Sequence, residues 1–376
     1  MTAGRVRHRL TTPVRRKHME TNLDQLLRMA RGYASSQLIL TAVQLDVFTT
    51  LSEGPLSGTE IERRLGLHPR GSRAFFDALV SHGLLERTGE MYANTPVAAL
   101  HLDKNRGETY LGGYLGLADG LYRLWPNLAT SLRTGRPCTG FAGQEAAAGP
   151  GAQGAGTVAG AEAAGGAQGA DREAPMEWSP DYINAMAFFA RAAAPALARS
   201  VDWARYTSFV DVGGSNGTLA SELVRLRPHL RGTCLDLPAL REQFEATMAR
   251  AGTHEKVAFR GGDFFEEPIP ETDAVVLGRI LHNWSTEDRV KLLRRAWDAL
   301  RPGGAVLVFD QLLDEQRRDG MDPALSSLDQ LLFSEAGSEY SFAELCEWFH
   351  ACGFRSPSVQ QMDGGPEMLA IAFKPR

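Results

Sequence analysis

Polar residues stand at the ends of successive apolar runs in the second half of the chain. SFVDV carries Asp211 and passes directly into GGSNG at 213–217, and TCLD ends on Asp236. VAFR leads through two glycines to Asp263, Phe264 and Phe265. DAVVLG is followed by Arg279, His282 and Trp284, and AVLVFD ends on Asp310. Core packing does not call for such a row. Gly213, Gly214 and Gly217 permit a tight turn and close backbone approach to a ligand, and a helix N-terminus favours an anionic group. Asp236 follows Gly217 by 19 residues, about where an acid meets ribose hydroxyls. The pair points to an adenosine cofactor. Ser215 breaks a G-x-G-x-x-G fingerprint, which disfavours a pyrophosphate-binding NAD site. The plainer alternatives are a helix N-cap for Asp236, a turn with a core aromatic for Asp263 and Phe264, and a satisfied structural histidine for His282.

Strands must present these groups on one edge. Apolar runs at 208–212, 233–236, 257–260, 273–278 and 305–310 alternate with amphipathic helical patterns. That alternation predicts an α/β fold with a doubly wound, mostly parallel sheet over 201–376. Ligands bind such sheets outside the carboxyl ends of the strands. Ser285-x-x-Asp288 and Ser341-x-x-Glu344 read as helix starts, and SVQQM with MLAIAF predicts a closing antiparallel hairpin.

Upstream, 21–56 reads as helix, and 57–96 as a helix-turn-helix with a small hairpin, a winged helix. Its second helix carries Arg70 and Arg73 but also Phe75, Phe76 and Asp77. A helix that reads base edges wants more exposed donors, so a helical partner surface is expected here. The region 109–200 is a helical segment with a start at Ser179-Pro180 and a kink at Pro195. It is interrupted at 141–175, where 22 of 35 residues are Gly or Ala, the composition of a flexible insertion. Residues 1–20 are a basic tail without the apolar region of a secretory signal.

Net charge is −5, so a whole-chain basic footprint for nucleic acid is absent. Apolar runs fall short of the ~18 residues that span a bilayer. Cysteines 138, 234, 346 and 352 make no CxxC pair and no zinc spacing, so no metal is expected, and a reducing cytoplasm is the implied location.

VDVGGSNG, LDLP, GDFF, RILHNW and LRPGG, in this order and spacing, resemble class I S-adenosylmethionine-dependent O-methyltransferases of small molecules. The nearer likeness is to the subgroup with an N-terminal winged-helix dimerisation domain: plant caffeate and flavonoid enzymes, hydroxyindole O-methyltransferase and bacterial polyketide-tailoring enzymes. It covers 21–376 apart from the insertion, with a dimerisation domain over 21–108. It implies a Rossmann-like catalytic domain, S-adenosyl-L-methionine as cofactor and a homodimer formed through the N-terminal domain. Asp211, Gly213, Gly214 and Gly217 would then hold the methionine end of the cofactor, with Arg279 nearby. Asp236 would hold the ribose, and Asp263, Phe264 and Trp284 the adenine. His282 would be the general base, oriented by Asp310 and Glu339. Met186, Phe189, Asn283, Leu332 and Phe333 would line an aromatic acceptor. Ser215 stands where the family has glycine and Asn283 where it has aspartate.

The chemistry agrees with that assignment. A phenol has pKa ~10 and must lose its proton to attack a sulfonium methyl well, and an imidazole at ~6.5 can accept it. Carboxylates beside the ring fix its tautomer and stabilise the imidazolium. Of nine histidines, only His282 follows an expected buried strand at the ligand edge. The implied activity is O-methylation of a phenolic hydroxyl on an aromatic natural product. Two rival readings are a methyltransferase-like enzyme of decarboxylation, hydroxylation or pericyclic chemistry, and a winged-helix ligand-sensing regulator. Retention of His282 favours the transferase.

Overall fold

The structure, a computed structural model, describes residues 22–138, 180–316, 321–363 and 365–376. The basic tail and the Gly/Ala-rich insertion lie outside the described residues, as does Ser179. The chain divides into two compact units, 1–99 and 100–376.

In the first unit, the stretch expected as one helical region is three helices: α1 (Leu23–Ala30), α2 (Gly32–Gln44) and α3 (Val47–Thr50). A capping box between Asn22 and Gln25 starts α1. Asp46, at φ 61°, takes the left-handed conformation that ends the second helix and re-aims the third. A two-residue strand β1 (Leu56–Ser57) leads into α4 (Gly58–Leu65) and α5 (Pro69–Ser81). Ser57 caps α4, left-handed Gly66 stops it, and Pro69 opens α5. The wing is β2 (Leu85–Thr88) against β3 (Met91–Asn94), with β1 on the other side of β3. Phe48, Ile61, Phe76, Leu79 and Leu85 form its buried centre. Asp77 accepts from the Tyr92 hydroxyl at 3.0 Å.

Helix α6 (Pro96–His101) runs across the boundary at residue 99, and the second unit continues with α7 (Gly112–Leu124), α8 (Leu128–Thr134) and α9 (Pro180–Ser200), which contains Pro195. Glycines let α7 and α9 approach closely: a Cβ on Gly113 would sit 2.5 Å from Asn184 Cβ, and one on Gly116 2.6 Å from Asp181 Cγ. The sheet has strands β4 (Ser208–Val212), β5 (Arg231–Asp236), β6 (Val257–Gly261), β7 (Thr272–Gly278) and β8 (Leu300–Asp310), then β9 (Arg355–Gln361) and β10 (Met368–Phe373). Their order is β6-β5-β4-β7-β8-β10-β9. The first five are parallel, and β10 runs antiparallel between β8 and β9. Helices α10 (Thr218–Leu226), α11 (Arg241–Ala251), α12 (Thr286–Ala299), α13 (Met321–Phe333) and α14 (Phe342–Ala351) complete the unit.

Alternate strand residues supply both faces, as a period of two requires. Phe209, Val276 and Leu307 pack with Leu223 and Phe244 on one side. Val210, Val275 and Val306 pack with Leu292 and Leu293 on the other. Strand order reverses between β4 and β7, so the crevice lies at the carboxyl ends of those strands. Among the described residues, no helix is long and apolar enough to cross a membrane.

Candidate active site

The loop after β4 is bent by left-handed backbone at Gly213 (φ 69°), Ser215 (φ 52°) and Gly217 (φ 75°). A Cβ on Gly213 would meet Ile280 Cδ1 at 2.3 Å, one on Gly214 would meet Asp211 Oδ2 at 2.7 Å, and one on Gly217 would meet Phe244 at 2.5 Å. Ser215 keeps the glycine-like turn and donates its backbone N–H to Asp236 Oδ2 at 2.7 Å. Asp236 Oδ1 accepts from Leu237 N at 2.7 Å. The acid thus clasps the loop as well as beginning the next turn. Burial pushes Asp236 up to about 6 against those two bonds. Burial, with the charge of Asp236, pushes Asp211 up to about 8. Asp211 Oδ2 is buried without a partner. An unpartnered carboxylate oxygen beside a glycine cradle, with a second acid at the next strand end, fits a ligand that carries a cationic amino group and ribose hydroxyls.

Further along the edge, Asp263 Oδ1 accepts from Phe265 N at 2.8 Å. Phe264 and Phe265 pack edge-on to Trp284, with centroids at 5.9 and 4.6 Å. These aromatics suit the flat face of a nucleobase. Arg279, left-handed at φ 56°, pairs through Nη1 with Glu367 at 3.0 Å, and its guanidinium lies 4.3 Å from the Phe189 ring centre. Arg279 therefore ties the strand edge to α9 and to the terminal hairpin.

His282 lies in a short turn after β7 and is buried. Its Nδ1 is 2.8 Å from Glu339 Oε1. The same oxygen accepts from Ser326 Oγ at 2.7 Å, and Glu339 N donates to Ser327 Oγ at 3.0 Å. Burial works to lower the His282 pKa, but the charges of Glu339 and Asp310 override it, and the net direction is upward. Glu339 is held low: burial raises it, and His282, Ser326 and Arg279 together outweigh burial. Asp310 accepts a hydrogen bond from the Tyr340 hydroxyl, and its Oδ1 is buried without a partner. Burial pushes Asp310 up to about 6. The two acids thus differ: Glu339 touches the imidazole, whereas Asp310 acts on it through charge.

Asn283 gives Nδ2 to the Arg279 carbonyl at 3.2 Å and accepts from Gln330 Nε2 at 2.9 Å. Its amide is thereby engaged by the protein itself on both the oxygen and the nitrogen. Met186 and Phe189 are half-buried on α9, and Phe189 packs edge-on to Tyr114 at 5.6 Å. Leu332 is fully buried, with its carbonyl accepting from Cys138 N at 2.9 Å, and Phe333 is half-buried. Among the described residues, no group of three or more His, Cys, Asp or Glu could hold a metal ion.

Sequence reasoning missed Ser326, Ser327, Gln330, Tyr340, Arg289 and Glu367. Arg289 bonds the Leu281 carbonyl at 2.8 Å and Ser338 Oγ at 3.0 Å, and so braces both sides of the base. It lies in the buried register of α12 with Leu292, Leu293 and Ala296, and a charge in an apolar stripe was a readable signal. The others carried none.

A doubly wound sheet with a glycine loop, two strand-end acids and a buried His–Glu pair fits an enzyme that uses a nucleoside cofactor. The O-methyltransferase domain model matches residues 172–355, and the O-methyltransferase dimerisation domain model matches 27–104. The chain is 41% identical to the tetracenomycin polyketide synthesis 8-O-methyl transferase TcmO of Streptomyces glaucescens, over 93% of this chain and 96% of that one. It is 34% identical to the N,N-dimethyltransferase OxyT of Streptomyces rimosus, over 93% of this chain and 96% of that one. The crystal structure of human N-acetylserotonin methyltransferase in complex with S-adenosylmethionine superimposes with TM-score 0.77 at 25% identity, covering 96% of this chain and 99% of that one. The chain belongs to the S-adenosylmethionine-dependent O-methyltransferases. It is an enzyme, and the ligand-sensing regulator is set aside.

Proposed function

We propose that this enzyme methylates a phenolic hydroxyl of an aromatic, polyketide-like natural product, with His282 as general base. The observation that carries the reading is the buried His282–Glu339 contact of 2.8 Å at the strand edge next to the glycine loop. With Nδ1 engaged, Nε2 is the nitrogen left to take a proton from an acceptor. The polyketide class is supported by the function of TcmO in tetracenomycin synthesis.

S-adenosylmethionine, when bound, supplies a sulfonium methyl group open to in-line attack. The loop 213–217 would seat its amino-acid end with Asp211, Asp236 would take the ribose hydroxyls, and Asp263, Phe264 and Trp284 would border the nucleobase. Arg279, fixed by Glu367 and Phe189, closes the side toward α9, where Met186, Phe189 and Phe333 offer apolar surface to a planar acceptor. His282 Nε2 removes the phenolic proton, Glu339 keeps the ring oriented, and the charge of Asp310 supports the imidazolium. Leu332 backs this wall from the core.

An amine acceptor is the second reading, favoured by the likeness to OxyT. We further propose a homodimer built on the N-terminal unit and residence in a reducing cytoplasm, in keeping with four free thiols.

The test uses purified protein, S-adenosylmethionine and a panel of polycyclic phenols and aryl amines, with S-adenosylhomocysteine binding by calorimetry. In His282→Gln, S-adenosylhomocysteine binding should persist while transfer to phenols falls roughly 10²- to 10⁴-fold. Undiminished phenol methylation by this variant would remove the base assignment. Turnover of amines alone would move the acceptor to nitrogen.

A further inference from the structure

Helix α13 presents Ser326, Ser327 and Gln330 to the segments on both sides of the base. Ser326 Oγ donates to Glu339 Oε1 at 2.7 Å, Ser327 Oγ accepts from Glu339 N at 3.0 Å, and Gln330 Nε2 donates to Asn283 Oδ1 at 2.9 Å. Glu339 receives both of its side-chain hydrogen bonds on Oε1, from Ser326 and from His282, while Oε2 is buried without a partner. A carboxylate held by one donor can pivot about that bond. Two donors converging on one oxygen from α13 and from the turn after β7 fix its direction.

We propose that Ser326 is a positioning residue for methyl transfer, whose hydroxyl holds Glu339 against His282 and so links the helix that ends in Leu332 and Phe333 to the alignment of the base. This rests on the reading of His282 as base. The coupling follows from the chain: Ser326 and Gln330 stand one helical turn apart, and Phe333 of the acceptor wall follows three residues later. A displacement of α13 by an acceptor moves the hydroxyl that orients Glu339.

The charged and titratable groups around the imidazole are Glu339 on the segment after α13, Asp310 at the end of β8 and Arg279 at the end of β7. Arg289 from α12 and Tyr340 lie beyond them, within reach of the same acids. Ser326 is uncharged, and its removal leaves that set intact. The freed Oε1 then carries more negative charge toward Nδ1 and favours the imidazolium, while the orientation of the ring loosens.

The experiment compares Ser326→Ala, Ser326→Cys, Ser326→Thr and His282→Gln with wild type. For each, kcat and KM for both substrates are measured across pH, with S-adenosylhomocysteine binding as the check on folding. Ser326→Ala should lose roughly tenfold or more in kcat, the scale of a hydrogen bond to a charged group. KM for S-adenosylmethionine should hold, and the acid-side fall in rate should move to higher pH. Ser326→Thr restores both, and Ser326→Cys, a weaker donor of similar size, falls between; it serves as the test if the alanine variant does not fold. An acid-side midpoint that stays at the wild-type pH in the alanine and cysteine variants overturns the proposal, whatever happens to kcat. A midpoint that moves but is not restored by threonine overturns it also. If His282→Gln keeps the wild-type pH profile, the base reading falls first and takes this inference with it. If His282→Gln abolishes transfer and Ser326 variants leave the profile unmoved, only the positioning role is lost.

Discussion

Two opposed pressures act on the proton of His282. Burial disfavours the charged ring, and Glu339 and Asp310 favour it more strongly, so its pKa stands above the ordinary histidine value of 6.5. A base works only when neutral. The kcat of phenol methylation should therefore rise with pH, with its acid-side midpoint above 6.5, and a pH–rate profile with saturating substrates checks it. A midpoint below 6.5 would mean that burial wins over the two acids. The sign for stability follows the same shift. The folded state binds this proton more tightly than the unfolded chain, so the contribution is full below the unfolded pKa and is lost as pH rises through the folded one. His282, Asp236 and Asp310 were readable because each ends or follows an apolar run, and Glu339 because a family motif falls on it. Glu367 was not, because its partner Arg279 lies 88 residues away and no local pattern connects them. Ser326 pairs only 13 residues away, but a serine in a helix gives no sign of which carboxylate it will meet.

The glycine loop shows how an element depends on one missing side chain. Gly217 closes the loop at φ 75° directly before α10, and its Cα faces the Phe244 ring of α11. Gly217→Ala places a Cβ 2.5 Å from that ring in a left-handed conformation. The two effects should cost about 2–4 kcal/mol together. Calorimetric melting should show Tm lowered by roughly 3–7 °C for a unit of this size, at about 2.1 cal/mol/K of unfolding entropy per residue, together with weaker S-adenosylhomocysteine binding. A variant with unchanged Tm would mean that α11 retreats without resistance. Ser215 tolerates φ 52° in the same loop because its N–H is anchored on Asp236. Strand edges were legible for the same reason the loop was: alternating apolar residues stop where the chemistry begins. The break between α2 and α3 was not, since left-handed Asp46 carries no glycine or proline to announce it. Neither was the insertion of β10 between β8 and β9, because a hairpin pattern does not state which strand it joins.

The N-terminal unit carries apolar side chains that its own core does not cover. On α1, Leu23, Leu26, Leu27 and Met29 are 71%, 53%, 58% and 72% exposed, and Tyr33 at the start of α2 is 62% exposed. Apolar surface gains roughly 25 cal/mol per Å² when removed from water, and a contiguous exposed stripe on a helix marks an interface. The match of 27–104 to a dimerisation domain supports a second copy of the chain as the occupant. In a twofold interface each copy presents the same patch, so a single substitution acts twice. Leu27→Asp places two carboxylates where two leucines would be buried. The wild-type protein should sediment at twice its chain mass of 40.9 kDa. The aspartate variant should raise the dimer dissociation constant at least roughly a hundredfold, since an unpaired buried charge costs several kcal/mol. Circular dichroism should stay near wild type, because Leu27 is exposed within the single chain and contributes little to its core. Sedimentation of the variant as a dimer at low micromolar concentration would show that α1 lies outside the interface, and would move the search to Met91 and Val97, the other large exposed apolar residues among the described residues of this unit.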